Sequence, residues 1–342
     1  MKVIAITLGD PAGIGPEVLL KALRGEGSIG EEIAAEARII IFGSADVLRE
    51  ACGKTNIECE PNVIQLPAAT DDLKELNLVD LDGADDFVVG EASKASGKLA
   101  LEAIYAAVET ACNGNVDALV TMPVSKVAFT LAGVKRTGHT EILRDRTGVE
   151  ETTMFLENGP LRFALVTKHL PIREVSDTLS EEGVAQTIRA ADHALREYYE
   201  IARPTIGVMA LNPHAGENGL VGGEEREKII PAIKRVQSEG VNVRGPFPAD
   251  VAVAMQSRGS FDGLVAMYHD QALVPLKLVN GEGGFNMTLG LPFVRTSPLH
   301  GTSYDIAGKN LANPASTIAA IRAAIRFSRR KTAESAEDSG GE

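Results

Sequence analysis

Short runs of β-branched and other apolar residues recur along this chain, separated by stretches in which apolar residues stand three and four apart. Val3–Thr7, Ala37–Phe42, Ala118–Val120, Arg162–Thr167, Thr205–Ala210 and Gly263–Ala266 have the length and composition of strands. Leu99–Cys112, Glu181–Tyr199 and Glu224–Glu239 have the spacing of amphipathic helices. Strands that alternate with helices connect by crossovers, so the pattern predicts βαβ units and a mainly parallel sheet, an α/β fold. A chain of 342 residues exceeds the roughly 250 over which a single core grows, so two domains with a cleft between them are expected. Ala68–Val88 is acidic and irregular and reads as a surface excursion, and Arg329–Glu342 as a disordered charged tail.

Two glycine-rich segments interrupt this alternation. Leu8-Gly-Asp-Pro-Ala-Gly-Ile-Gly-Pro-Glu-Val18 follows the first strand and leads into a helix that Pro16 can open. Its spacing is neither G-x-G-x-x-G nor G-x-x-x-x-G-K-[ST], which disfavours a Rossmann or P-loop site and leaves a ligand loop and a structural turn both open. Pro298-Leu-His-Gly-Thr-Ser-Tyr-Asp-Ile-Ala-Gly308, continuing through Lys309 and Asn310 to Asn313-Pro314, is built like a dinucleotide clamp. Its glycines allow a backbone to approach a ligand closely, while His300, Asp305 and Asn313 bring an aromatic face, a carboxylate and an amide to one loop. His300, Gly301, Ser303, Asp305 and Asn313 are the expected contacts of an adenosine group.

The chain holds six histidines. His193 lies in a helical stretch and reads as part of a helix face. His169 (Val-Thr-Lys-His-Leu-Pro) and His269 (Ala-Met-Tyr-His-Asp-Gln) each follow a strand, and His214 (Leu-Asn-Pro-His-Ala-Gly) sits at the end of another. Three neutral imidazoles leave a divalent metal with its charge intact and with open positions, as a catalytic site requires.

Composition narrows the partners. A net charge of −13 disfavours nucleic acid, whose phosphates demand clustered Lys and Arg, but allows a few cations gathered around a small anion. No apolar stretch approaches the roughly 20 residues that span a bilayer, and the N-terminus reads directly as a strand and not as a signal peptide. A cytoplasmic protein is expected. Cys52, Cys59 and Cys112 form no C-x-x-C pair and indicate neither a disulfide framework nor a thiolate metal site.

The 298–314 loop and the Gly-Ile-Gly-Pro-Glu element resemble those of the isocitrate and isopropylmalate dehydrogenases. A closer resemblance rests on Thr121-Met-Pro-Val-Ser-Lys126, Thr137-Gly-His-Thr-Glu141, Leu211-Asn-Pro-His-Ala-Gly216, Gly245-Pro-Phe-Pro-Ala-Asp250, Met267-Tyr-His-Asp-Gln-Ala-Leu-Val-Pro-Leu-Lys277 and Asn286-Met-Thr-Leu-Gly-Leu-Pro-Phe-Val-Arg-Thr-Ser297. In this order they are similar to the 4-hydroxythreonine-4-phosphate dehydrogenase family of pyridoxal phosphate biosynthesis, over roughly residues 3 to 325.

The resemblance implies two α/β/α domains of the isocitrate/isopropylmalate dehydrogenase-like fold, a homodimer with a shared active site, a divalent metal (zinc before magnesium or cobalt) and NAD or NADP. It implies that residues 1–130 with 290–328 form the cofactor domain and residues 131–289 the substrate, metal and dimerisation domain. It implies that His169, His214 and His269 bind the metal, the last reaching across from the partner subunit, and that His139, Thr140, Lys277, Asn286 and Arg295 contact the substrate. Lys277 and Arg295 suit a phosphate or carboxylate, and Lys126 is a further candidate for phosphate. Asp270 could orient an imidazole or accept a proton; Asp250 could act as a base or cap a helix. Lys277, Asp270 and Asp250 are therefore the catalytic candidates.

The chain departs from the family in Ser125-Lys126, where relatives commonly have a His-Lys pair, and in its acidic Gly281-Glu-Gly-Gly284 segment. The expected reaction is oxidation of 4-phosphooxy-L-threonine, with D-threonate or D-erythronate 4-phosphate as the alternative substrate. Isopropylmalate or isocitrate oxidation ranks below these, because those enzymes hold their metal with aspartates. A non-catalytic nucleotide-binding protein would explain the 298–314 loop but not a metal site beside an anion site.

Overall fold

The computed structural model describes residues 1–67, 72–81, 87–134, 138–279 and 283–328. The strands are β1 (Lys2–Thr7), β2 (Ala37–Gly43), β3 (Asn62–Ile64), β4 (Leu76–Asp80), β5 (Ala118–Thr121), β6 (Thr153–Asn158), β7 (Leu161–Leu165), β8 (Ile206–Met209), β9 (Val243–Phe247), β10 (Gly263–Ala266), β11 (Phe285–Leu289) and β12 (Val294–Pro298). The chain divides into two compact units, Met1–Gly148 together with the segment from Leu291 onward, and Val149–Gly290.

In the first unit the strand order is β3-β4-β2-β1-β5-β12, and every pairing is parallel. Helices cover both faces of such a sheet, so its strands are apolar throughout instead of alternating. Val3 and Ala5 pack with the helix Lys94–Cys112, while Ile4 and Ile6 on the other face are equally inaccessible to solvent. Ser93 caps that helix reciprocally with Ser96, which satisfies two N–H groups its first turn would otherwise leave unpaired. The helix His139–Thr147, which the sequence boundaries assign to the second domain, packs on Lys94–Cys112. The helix Ala315–Phe327 lies along β12 and β5 and brings the end of the chain back onto this sheet.

In the second unit the order is β11-β6-β7-β10-β8-β9. β7, β10, β8 and β9 are parallel, and β6 pairs antiparallel with both β7 and β11. The helix Glu181–Glu197 starts at Ser180, whose Oγ accepts the Gly183 N–H, and lays its apolar stripe on β10, β7 and β8. The segment read as a helix over Glu224–Glu239 opens with a π-turn, Glu225–Ile229, before the α-helix Ile230–Ser238.

One reading is corrected. Ala68–Val88 is not irregular throughout, because Leu76–Asp80 forms β4, parallel to β2 on one side and β3 on the other. Asn77 disguised it. This buried asparagine breaks the apolar run, yet its amide bonds the Ile39 carbonyl at 3.0 Å and the Lys74 carbonyl at 2.8 Å. Residues 68–71 and 82–86 of that stretch, Gly281 and Glu282 of Gly281-Glu-Gly-Gly284, and the tail Arg329–Glu342 lie outside the described residues. Among the described residues, no helix is long and apolar enough to cross a membrane.

Candidate active site

Three adjacent parallel strands of the second unit, β7, β10 and β8, each lead at their carboxyl ends into a histidine segment. His169 lies four residues past β7, His269 three past β10 and His214 five past β8. This end of an open parallel sheet is where α/β proteins gather ligands. The His169 and His269 rings lie 5.4 Å apart, centroid to centroid. Their proximity follows from the strand ends, since Thr167 bonds the Met267 carbonyl twice, through its N–H at 3.1 Å and its hydroxyl at 2.7 Å. Gln271, itself buried, accepts the Met267 N–H at 2.7 Å and donates to the Ala210 carbonyl at 2.8 Å, joining the β10 end to the β8 end.

His269 opens the helix His269–Val279, and its Nδ1 lies 2.6 Å from Asp270 Oδ1. A ring held at Nδ1 by a carboxylate presents Nε2 to a ligand. His214 is held differently. Residues His214–Asn218 all have positive φ, at 52°, 55°, 74°, 42° and 57°. For residues other than glycine this hand costs about 1–2 kcal/mol each, so the surroundings must impose it. Among the described residues, no three His, Cys, Asp or Glu side chains of the single chain converge on a metal position.

The remaining candidates in this unit are Lys277, Asp250 and Asn286. Lys277 is exposed and lies two turns, roughly 12 Å, along the helix from His269. Asp250 is exposed in the first turn of Ala249–Ser257, and Asn286 is half-buried on β11.

In the first unit, Arg295 on β12 is 2% exposed, and its Nε and Nη2 both donate to Thr121 Oγ1 at the end of β5, the former at 3.1 Å. Burial pushes its guanidinium down to about 9. His139, which opens the helix His139–Thr147 with Thr140 beside it, has a solvent-inaccessible Nε2 with no hydrogen-bond partner. Burial, and then the charge of Arg295, drive its pKa well below 6.5, so the ring is neutral and can donate or accept. Lys126 is exposed, and its Cε lies 3.2 Å from the position a Cβ on Gly138 would take, so its stem runs against the start of the His139 helix. Ser125, at the family's histidine position, caps the helix Lys126–Leu131 through the Ala128 N–H.

The depressed His139 pKa predicts a pH dependence. Below about 6.5 the unfolded chain takes up a proton that folded His139 refuses, so stability falls as pH drops, by up to about 1.4 kcal/mol per unit. Denaturant melts from pH 7.5 to 5.5 should show this slope, and His139→Gln should reduce it. An unchanged slope in the variant would contradict the assignment.

The two glycine loops of this unit form one structure. Residues Gly9–Leu20 are buried and support the second loop from below. Tyr304 Oη donates to Asp10 Oδ2 at 2.6 Å, the Ile14 N–H donates to the Thr302 carbonyl at 3.0 Å, and a Cβ on Gly13 would come within 2.9 Å of that carbonyl. Glu17 accepts the Ala312 N–H at 2.8 Å. Burial pushes the Asp10 carboxyl up against the hydrogen bonds from Tyr304, Ala12 and Ser96, and the Tyr304 hydroxyl rises as well, mainly through burial. In these contacts the 8–18 segment supports the second loop, while Pro11, Gly13, Pro16 and Glu17 also line a cavity. Above it, Gly301 and Asp305 are exposed, and Ser303 has φ 43°. Asn313 Oδ1 accepts the Ala315 N–H at 2.9 Å, so its carbonyl caps the last helix. Asp10, Glu17, Tyr304 and Gln271 lie inside the motifs quoted above but had no role assigned there, and Glu225 lies outside them in a charged stretch. Burial pushes the Cys59 thiol up to about 11 and those of Cys52 and Cys112 upward, which leaves all three protonated.

Known proteins are similar to this chain across nearly its whole length. A 4-hydroxythreonine-4-phosphate dehydrogenase of Sulfurihydrogenibium sp. (strain YO3AOP1) is 38% identical over 330 residues, covering 95% of this chain and 98% of the relative. A protein of Oceanobacillus iheyensis with the provisional name D-threonate 4-phosphate dehydrogenase is 39% identical over 333 residues, covering 96% and 98%. The crystal structure of the 4-hydroxythreonine-4-phosphate dehydrogenase from Klebsiella pneumoniae superposes with a TM-score of 0.84 at 37% identity, covering 96% of this chain and all of that one. The family described as pyridoxal phosphate biosynthetic protein PdxA matches residues 35–324. With the fold and these matches in agreement, the chain belongs to the PdxA family of dehydrogenases.

Proposed function

We propose that this chain oxidises the secondary hydroxyl of 4-phosphooxy-L-threonine with NAD or NADP. The product, 2-amino-3-oxo-4-phosphooxybutanoate, loses carbon dioxide to give 3-amino-2-oxopropyl phosphate. The observation that supports this reading most is the position of His169, His214 and His269 past the carboxyl ends of β7, β8 and β10. All three donors are imidazoles, a set suited to zinc with an open position, and to magnesium or cobalt less well. When bound, such an ion lowers the pKa of the substrate hydroxyl and polarises the ketone. His169 and His214 would hold it, with His269 contributed by a second copy of the chain. The exposed apolar side chains beside these segments, among them Ile172 (69% exposed), Leu220 (86%) and Leu278 (79%), offer that copy a surface to cover.

The chain's own residues have separate tasks. Arg295, whose Nε and Nη2 hold Thr121 Oγ1 here, would turn guanidinium donors to the phosphate, and His139, Thr140 and Asn286 would add neutral hydrogen bonds. Asp270 keeps the His269 ring in one orientation. Asp250 accepts the proton of the substrate hydroxyl, and Lys277 returns a proton to carbon after decarboxylation. His300, Gly301, Ser303, Asp305 and Asn313 receive the adenosine end of the dinucleotide.

A second reading, D-threonate or D-erythronate 4-phosphate as substrate, is favoured by the Oceanobacillus relative, whose identity to this chain matches that of the threonine-phosphate enzymes. Zinc-supplemented protein should be offered 4-phosphooxy-L-threonine, D-threonate 4-phosphate and 3-isopropylmalate under NAD and NADP, with nicotinamide reduction followed by absorbance. Highest kcat/KM for the first is the expected result. A preference for the sugar-acid phosphate moves the substrate and keeps the chemistry, whereas preference for isopropylmalate or no turnover overturns the proposal.

A further inference from the structure

His214 occupies a run of left-handed residues that local preference disfavours, and two neighbouring glutamates account for its holding. Glu225 is 3% exposed and faces donors only. Its Oε1 accepts the Leu211 N–H at 2.9 Å and the Asn212 N–H at 2.7 Å, and its Oε2 accepts Asn212 Nδ2 at 2.9 Å. It also sets the residue type opposite, because a Cβ on Gly216 would fall 2.7 Å from Oε2. The carboxylate thus grips the backbone two and three residues ahead of His214 and closes against the turn that follows it.

Glu224 extends the grip to a second segment. One of its oxygens accepts Asn212 Nδ2 at 2.8 Å and the other accepts the Ser176 hydroxyl at 2.5 Å. Ser176 lies in the helix Ile172–Thr178, which begins three residues after His169, and Lys228 donates to the Ser176 carbonyl at 2.8 Å. The two carboxylates sit at the opening of the π-turn Glu225–Ile229, a widening of the helix that recurs at functional sites.

We propose that Glu224 and Glu225 are positioning residues that set where His214 and His169 stand for a shared divalent cation. This rests on the metal reading above. A purely structural bracket would be replaceable at a loss of stability alone. A positioning bracket also governs cation affinity in protein that remains folded, as do the outer partners of other metal ligands.

Zinc affinity, measured by competition with a chromophoric chelator, separates these roles when thermal melting is followed on the same full-length samples. Glu225→Ala should bind zinc about 10- to 100-fold more weakly than wild type. Glu225→Gln keeps an acceptor for the two N–H groups but turns a donor toward Asn212, and should fall between the two. Ser176→Ala, which releases only the Glu224 tether, should weaken binding measurably but less than Glu225→Ala. Wild-type affinity in folded Glu225→Ala overturns the proposal. Should that variant fail to fold, unchanged affinity in both Glu225→Gln and Ser176→Ala overturns it equally. A wild-type protein that takes up no zinc overturns the metal reading itself, and this inference with it.

Discussion

Alanine at His169 is expected to lower kcat by on the order of a thousandfold and to abolish stoichiometric zinc uptake, with little change in melting temperature. The kinetic loss follows from the task proposed for the cation, since a bound divalent ion that polarised the substrate oxygen would be worth several kcal/mol of barrier. The small stability effect follows from exposure. His169 is at the surface, where a substitution shifts stability by roughly half a kcal/mol or less. Metal analysis, steady-state kinetics and a melt on the same preparation therefore distinguish loss of chemistry from loss of fold. Asp270→Asn should be milder, about 10- to 100-fold, because it replaces the charged partner of His269 Nδ1 with a neutral amide and leaves the ligand itself. Retention of both zinc and turnover in His169→Ala would falsify the metal reading.

Arg295→Met is expected to raise KM for the phosphorylated substrate by about 10²- to 10⁴-fold. Two charge-assisted hydrogen bonds to phosphate are worth about 1.5–3 kcal/mol each, and their loss gives that range. Burial pushes the guanidinium down to about 9, and a bound dianion reverses that cost by stabilising the charged form. Arg295→Lys keeps the charge but not the planar fork, and should lie between the two. Inorganic phosphate supplies a check without turnover: it should raise the melting temperature of wild type and leave that of Arg295→Met unmoved. Equal stabilisation of both proteins by phosphate would rule Arg295 out as the anion site.

The elements visible in the sequence are those whose local pattern and tertiary environment agree. β1 and β2 are unbroken apolar runs because helices cover both faces of an all-parallel sheet. Glu181–Glu197 is legible because Ser180 caps it and its buried face recurs at helical spacing. β4 was missed because Asn77 interrupts its apolar run, and β12 because Arg295 is a charged residue in a strand buried throughout. In both, the residue that spoils the pattern is satisfied by partners far away in the chain: Ile39 for Asn77, and Thr121 for Arg295.

The candidate site divides along the same line. From the chain alone came the α/β class, the family, the histidines at strand ends and the exposed glycine-bearing loop, since residue type and short spacing carry that information. The tertiary structure decided the rest. It paired His169 with His269 at 5.4 Å, set Asp270 on His269, and joined the 8–18 loop to the 300–313 loop through Asp10 and Tyr304. It also left His139 neutral beside a buried Arg295, and bound the His214 turn to Glu225. Each of these depends on which distant groups are desolvated together and which donors find which acceptors. Burial and hydrogen-bond partnership belong to the packed chain, and no local stretch of residues specifies them.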